Sequence, residues 1–336
     1  MIYQKNNFPY PLKTIHFLAY INRSGSTLLS KELSKFEDID VTLEGLETRF
    51  TNVDYEKFLL SNEKDLDLWL DRIYAEKKFI AWNINRGELK NELLDFGFPI
   101  NYNNFLTITI NKYFENSGSK ILLYKDTGLF NNLDKSTVIF PKSKYLFILR
   151  DPRAIFNSLS KSIDSITGKI MTDNVFEFAI TYKSIIKKII FYQMNKKYSK
   201  SICIVIYEDL ILFPDEVIKE IIKYFNVSVK TKKIPYDYEA FIPKEQKHLH
   251  KNIKNNLMEN RINAWETELS KQNIWFLSFV LKNEIKRYHY KKSEIKFTEI
   301  ENKLKTIINL LKFIIYYHPK MIIKLLLIRL KIRKLY

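Results

Sequence analysis

Thr14–Ile21 reads TIHFLAYI, Asn22–Thr27 reads NRSGST, and Leu28–Phe36 reads LLSKELSKF. The first segment is a short, β-rich apolar run and predicts a buried strand. The last carries apolar residues at helical spacing. Between them lies a tight turn containing Gly25. Strand, turn and helix in this order make an anion cradle: backbone N–H groups converge at the turn, and the helix N-terminus adds partial positive charge. Gly25 lets the backbone approach an oxyanion closely. Ser26 and Thr27 offer hydroxyl donors, the Ser24–Thr27 backbone offers amides, and Arg23 offers a guanidinium fork. The Walker pattern GxxxxGK[ST] is not met. Ser26 stands where the phosphate lysine belongs, and neither Ile21 nor Asn22 is glycine, which disfavours ATP hydrolysis. Alone, RSGST also fits an ordinary helix-capping turn; the strand before it favours the anion site.

The same alternation continues along the chain. Strands are expected over Lys120–Tyr124 (KILLY), Tyr145–Leu149 (YLFIL) and Ser201–Tyr207 (SICIVIY). Helices are expected over Asp65–Glu76, Val175–Tyr198, Pro214–Phe225 and Asn273–Tyr288. Phe105–Phe114 fits either state, and Phe241–Asn263 reads as loop-rich. Strands alternating with helices imply an α/β fold with a mostly parallel, doubly wound sheet.

A second segment has the same logic as the first. Phe147–Leu159 reads FILRDPRAIFNSL. A strand ends at Arg150, Pro152 suits the first turn of a helix, and Ser158 follows eight residues after the arginine. Arginine at the carboxyl end of a strand faces the crevice where open α/β sheets bind ligands. Arg150 and Ser158 are therefore candidates for a second phosphate. The plainer alternative is a surface ion pair of Asp151 with Arg153 and a helix residue at Ser158.

Composition bounds the rest. The chain has 336 residues, 46% of them hydrophobic, which excludes wholesale disorder. Cys203 is its one cysteine, so neither an intrachain disulfide framework nor a Cys-based zinc site is available. The five histidines show no HExxH spacing. The N-terminus lacks the apolar core of a signal peptide, and no uncharged apolar stretch reaches about 18 residues, so a cytoplasmic location is expected. The net charge is +17. Lys303–Tyr336 carries seven lysines, two arginines and no acid, which is +9 within the last tenth of the chain.

The two anion segments together resemble the sulfotransferases that use 3′-phosphoadenosine-5′-phosphosulfate (PAPS). RSGSTLL looks like that family's 5′-phosphosulfate loop, and LRDPRAIFNS its 3′-phosphate segment with the Arg-to-Ser spacing of eight. LEGLETRF (Leu43–Phe50) resembles the region of tyrosylprotein and related sulfotransferases that holds a proposed base. LLYKDTG (Leu122–Gly128) resembles a strand ending in a catalytic lysine. VIYEDL and WETELS, at Val205–Leu210 and Trp265–Ser270, are similar to recurring family signatures. The chain departs from tyrosylprotein sulfotransferases in its single cysteine and lack of a signal. It departs from the cytosolic small-molecule enzymes in having no matching histidine base.

The resemblance implies a P-loop-like three-layer fold and a sulfotransferase domain over 1–292; the basic helical tail expected over 293–336 lies outside it. It implies sulfuryl transfer from PAPS to an acceptor hydroxyl, with 3′-phosphoadenosine-5′-phosphate (PAP) as product. Glu47 is then the candidate general base and Glu44 its competitor, with Arg49 orienting Glu47 or the substrate. Arg23, Lys125 and the Ser24–Thr27 backbone would meet charge on the leaving phosphate oxygen. Nucleotide binding falls to Arg23, Ser24, Gly25, Ser26, Thr27, Arg150 and Ser158, with Tyr207 and Trp265 either touching it or serving as core aromatics. No metal is expected. A P-loop kinase and a non-catalytic, membrane-associated nucleotide-binding protein are the alternatives.

The tail divides at His318-Pro319 into KLKTIINLLKFIIYY and MIIKLLLIRLKIRKLY. Cations interrupt each apolar run, which suits a basic amphipathic helix lying on an anionic membrane surface. Packing of both helices on the domain is the alternative. Nucleic acid is disfavoured, because aromatics are not interleaved with a basic groove. The expected acceptor is accordingly a hydroxyl on a glycan or other envelope component, reached from the inner face of the cytoplasmic membrane.

Overall fold

In the computed structural model, the residues described are 12–45, 48–50, 53–115, 117–164, 167–228, 230–231 and 259–317. Five parallel strands form the main sheet: β1 (Ile15–Tyr20), β2 (Ile39–Val41), β5 (Ile121–Asp126), β6 (Tyr145–Leu149) and β7 (Ile202–Ile206), in the order β2-β5-β1-β6-β7. Two short strands, β3 (Leu59–Leu60) and β4 (Ile100–Asn101), pair antiparallel in a separate ribbon. Parallel neighbours require crossovers, and helices between the strands supply them.

β1 lies at the centre and is buried at all six positions. Its neighbours are β5 on one side, with Phe17 opposite Tyr124, and β6 on the other, with Phe17 opposite Tyr145. The Phe17 ring stacks on Tyr145 at 5.3 Å and meets Phe50 and Phe140 edge-on. Strands buried on both faces read as continuous apolar runs, which is why β1, β5 and β6 were legible from sequence. Moving outward from β1, the order steps to β5 on one side and β6 on the other. That is a topological switch point, where open α/β sheets form a ligand crevice at the strand carboxyl ends.

The chain divides into two compact units: Met1–Arg150 with Lys188–Glu259, and Asp151–Lys187 with Asn260–Tyr336. The first holds the whole sheet. The second is helical, and its core packs Trp265 and Ile274 against Ala154. Arg153 is fully buried there, its guanidinium carbon 3.7 Å from the Trp265 ring centroid. Arg153 Nε and Nη2 donate to the two Asp151 carboxylate oxygens at 3.0 and 2.6 Å. The Asp151–Arg153 pair, which the plainer alternative placed on the surface, is instead buried, with a cation–π contact to Trp265.

Other elements differ in extent. Phe105–Phe114 lies in a helix, Tyr102–Tyr113, capped at its start by the Asn101 side chain and ending at the C-cap residue Phe114. The single helix expected over Asn273–Tyr288 is two, Lys271–Val280 and Lys282–Arg287, interrupted at Leu281 (φ −107°, ψ 22°). Pro214–Phe225 is helical over the expected span. Most of Phe241–Asn263 lies outside the described residues.

Candidate active site

Every parallel strand delivers a polar or aromatic group at or just beyond its carboxyl end: Glu44 after β2, Lys125 as the next-to-last residue of β5, Arg23–Thr27 after β1, Arg150 after β6 and Tyr207 after β7. All belong to the first unit.

The loop after β1 turns through two left-handed residues, Arg23 (φ 70°) and Gly25 (φ 94°). Gly25 is also the N-cap of the helix Ser26–Leu33, and no side chain caps that terminus. The first-turn amides of this helix therefore lack the side-chain acceptor that usually satisfies one of them. Ser24 is fully buried, and its hydroxyl has no hydrogen-bond partner among the described residues. An uncapped helix start beside an unsatisfied buried hydroxyl fits a ligand that brings acceptor oxygens.

Tyr207 explains why position 25 is glycine. A Cβ there would lie 2.2 Å from Tyr207 Cδ2, so the ring occupies the space of a side chain. The ring also lies against Arg150, whose guanidinium carbon sits 4.1 Å from its centroid. Arg150 Nη1 then donates to the Arg23 carbonyl at 3.0 Å. Gly25, Tyr207, Arg150 and Arg23 thus form a closed circuit that holds the loop. Both Tyr207 and Arg150 are buried.

Lys125 reaches the same loop from β5. Its Nζ donates to Thr27 Oγ1 at 3.1 Å and lies 5.1 Å from the Tyr20 ring centroid. Its backbone N–H donates to Thr42 Oγ1 at 3.0 Å. Burial pulls its ammonium down to about 8; Glu44 opposes this and Arg49 reinforces it. Asp126 is fully buried and accepts from the backbone N–H groups of Phe50 (3.1 Å) and Gly128. Burial raises the Asp126 carboxyl to about 6 against those hydrogen bonds. Asp126 therefore ties the LEGLETRF segment to the end of β5. Thr48 adds to the tie, with Oγ1 2.9 Å from the Tyr124 hydroxyl and its carbonyl accepting from Tyr102 at 2.6 Å.

Glu44 is bound up in ion pairs. One carboxylate oxygen pairs with Arg49 Nη2 and the other lies 3.3 Å from Lys78 Nζ. Burial alone would raise its carboxyl, but Arg49, Lys78 and Lys125 outweigh that and hold it at about 2. A carboxylate held between two cations is a weak proton acceptor, which sets Glu44 apart from an ordinary general base. Arg49 pairs with Glu44 and donates through Nε to the Gly45 carbonyl at 3.1 Å. Glu47 lies outside the described residues. Lys78 was not singled out from sequence; a lone lysine in KKFI carries no local signal, and only the fold brings it to Glu44.

Ser158 belongs to the second unit, on the helix Pro152–Leu159, where its carbonyl accepts from Ser162 Oγ at 2.7 Å. Trp265 is buried against Arg153 in that unit and is a core aromatic. Among the described residues, no three His, Cys, Asp or Glu side chains are grouped to hold a metal ion. No helix among them is long and apolar enough to cross a membrane.

Residues 18–231 match the model of the Sulfotransferase family, and the chain belongs to that family. Among solved structures, the sulfotransferase domain of the Synechococcus PCC 7002 olefin synthase superposes with a TM-score of 0.56 at 16% identity, covering 87% of this chain and all of that one. The sulfotransferase domain from the curacin biosynthetic pathway gives 0.55 at 17% identity, covering 84% of this chain and all of that one. At such identities the likeness is one of fold. No curated protein sequence matches the chain.

Proposed function

We propose that the chain transfers a sulfuryl group from PAPS to an acceptor hydroxyl. One observation carries the proposal: the uncapped helix start at Gly25, Lys125 and Arg150 all stand at the carboxyl ends of adjacent strands. The loop amides, Ser24, Ser26 and Thr27 would hold the 5′-phosphosulfate. Arg150 would read the 3′-phosphate. Ser158 keeps the 3′-phosphate role that the resemblance implies. Tyr207 acts by shaping the loop through Gly25.

In the reaction the acceptor oxygen attacks sulfur in line. The bond from sulfur to the 5′-phosphate oxygen breaks, and PAP leaves with that electron pair. Lys125, Arg23 and the loop amides meet the charge that grows on the leaving oxygen. Glu47 takes the acceptor's hydroxyl proton. Glu44, already paired with Arg49 and Lys78, balances the cations around Lys125. This chemistry asks for positioning and charge compensation rather than for a metal ion.

The acceptor is proposed to be a hydroxyl on a glycan or another envelope component, met at the inner face of the cytoplasmic membrane. The acid-free, +9 segment from Lys303 to Tyr336 supports that location. Calorimetry with PAP, AMP and ATP plus Mg²⁺ tests the donor assignment. PAP should bind far more tightly than AMP. Preferential binding of ATP with Mg²⁺ would instead support kinase chemistry.

A further inference from the structure

The helix Lys303–Tyr317 has two apolar faces rather than one. Thr306 and Phe313, seven residues apart, are buried. Phe313 meets Phe276 edge-on at 6.3 Å, and Lys183 Nζ lies 5.5 Å from its ring. This face anchors the helix in the second unit.

The opposite face is apolar and open. Leu304, Ile308, Leu311 and Ile315 follow the spacing i, i+4, i+7 and i+11, which lines them along one side of a helix, with Ile307 beside them. These five side chains are between 40% and 70% exposed. Lysines border the stripe. At 100° per residue, Lys303 falls beyond Ile307 on one edge, and Lys305 and Lys312 fall beyond Ile308 on the other; all three are exposed.

We propose that this stripe is a docking face for an anionic lipid surface. The aliphatic row would enter the boundary between headgroups and acyl chains. The bordering lysines would keep their ammonium groups among the phosphates while their stems follow the apolar surface. Charge selects this occupant over a second copy of the chain. A homotypic pair along the stripe would set Lys303, Lys305 and Lys312 of two copies side by side, with no carboxylate on the helix to pair them. An anionic surface complements every one of those charges. The inference is independent of the sulfuryl-transfer reading.

Co-sedimentation of the full chain with phosphatidylcholine vesicles, with and without phosphatidylglycerol, tests it. Wild type should partition onto the anionic vesicles, and salt should reverse this only in part. Ile308→Glu/Leu311→Glu should lower the partition by roughly tenfold or more, because two inserted side chains are lost. Leu304→Ser/Ile315→Ser should weaken it in the same direction without adding charge. Unchanged melting temperatures would show that both variants fold. Three results would overturn the proposal. One is no binding by the full chain at low salt. Another is wild-type binding by both variants, which would assign the interaction to residues beyond Tyr317. The third is a lipid-free dimer that the variants dissolve, which would make a second copy the occupant.

Discussion

Lys125 Nζ donates to Thr27 Oγ1 across 3.1 Å, joining the end of β5 to the first turn of the helix that follows β1. The two residues are 98 positions apart in sequence. The contact points a buried ammonium at the helix start where the donor's phosphosulfate is proposed to bind. Lys125→Ala should therefore lower turnover by roughly 10²–10³. Thr27→Val should do less, since it removes a hydroxyl partner and leaves the charge. Steady-state rates of PAP formation from PAPS would decide. A Thr27→Val loss as large as that of Lys125→Ala would make the hydroxyl, not the ammonium, the main contributor.

The depressed ammonium gives a pH signature. With a pKa near 8 in the free protein, Lys125 loses its proton as pH rises through about 8. An anion binds the protonated form better, so affinity for PAP should be highest below about 8 and fall above it. Binding at pH 8 should take up a fraction of a proton, because the bound anion raises the lysine's pKa. Calorimetric enthalpies in buffers of different ionisation enthalpy measure that uptake. It should vanish in Lys125→Ala.

The two glutamates of LEGLETRF should separate kinetically. Glu47→Gln should reduce turnover by roughly 10²–10⁴ with PAP binding intact, as expected for loss of a general base. Glu44→Gln should act through Lys125 instead. Removing its negative charge leaves Arg49, Lys78 and Lys125 unbalanced, so the limb near pH 8 should move to lower pH. A pH–rate profile for each variant distinguishes the two. If Glu44→Gln abolished turnover at every pH, a direct role in proton transfer would return.

Arg150 has two duties that can be told apart. Its proposed contact with a 3′-phosphate is worth about 1.5–3 kcal/mol, so Arg150→Ala should weaken PAP by one to two decades. Part of any loss comes from the loop, because Arg150 also holds the Arg23 carbonyl and covers Tyr207. The PAP-to-AMP affinity ratio isolates the 3′-phosphate share. A ratio unchanged by the substitution would remove the 3′-phosphate assignment.

Gly25→Ala tests the packing of the loop. The new Cβ would overlap the Tyr207 ring and would have to adopt a φ of 94°. The expected cost is about 1–3 kcal/mol of stability, together with loss of PAP binding. Tyr207→Ala in the same chain removes the overlap but not the backbone strain, so stability should recover only in part. Chemical denaturation of the single and double variants gives the coupling between the two positions.

The elements that the sequence makes plain are those with strong local signals. Strands β1, β5, β6 and β7 are built on short apolar runs, and Pro214–Phe225 opens on a proline with a regular helical face. The ribbon of β3 and β4 has two residues per strand, too short for any periodicity to show. Its pairing of Leu59 with Asn101 depends on the intervening helices. The break at Leu281 likewise has no proline or glycine to announce it.

The site divides in the same way. RSGST and Arg150 stood out because each follows a readable strand, and Lys125 because LLYKDTG resembles a family segment; parallel strands bring all three to one edge. By itself the sequence therefore determined the α/β class and the sheet edge at which these side chains gather. It left open which acid is paired and which aromatic is packed, since those depend on residues distant along the chain. Tertiary structure alone brought Lys78 and Arg49 to Glu44, the Tyr207 ring to Gly25, and Arg153 beneath Trp265. The physical reason is burial. Once water is removed, a charge or a ring is governed by its neighbours in space, and those are set by sheet order rather than by spacing in sequence.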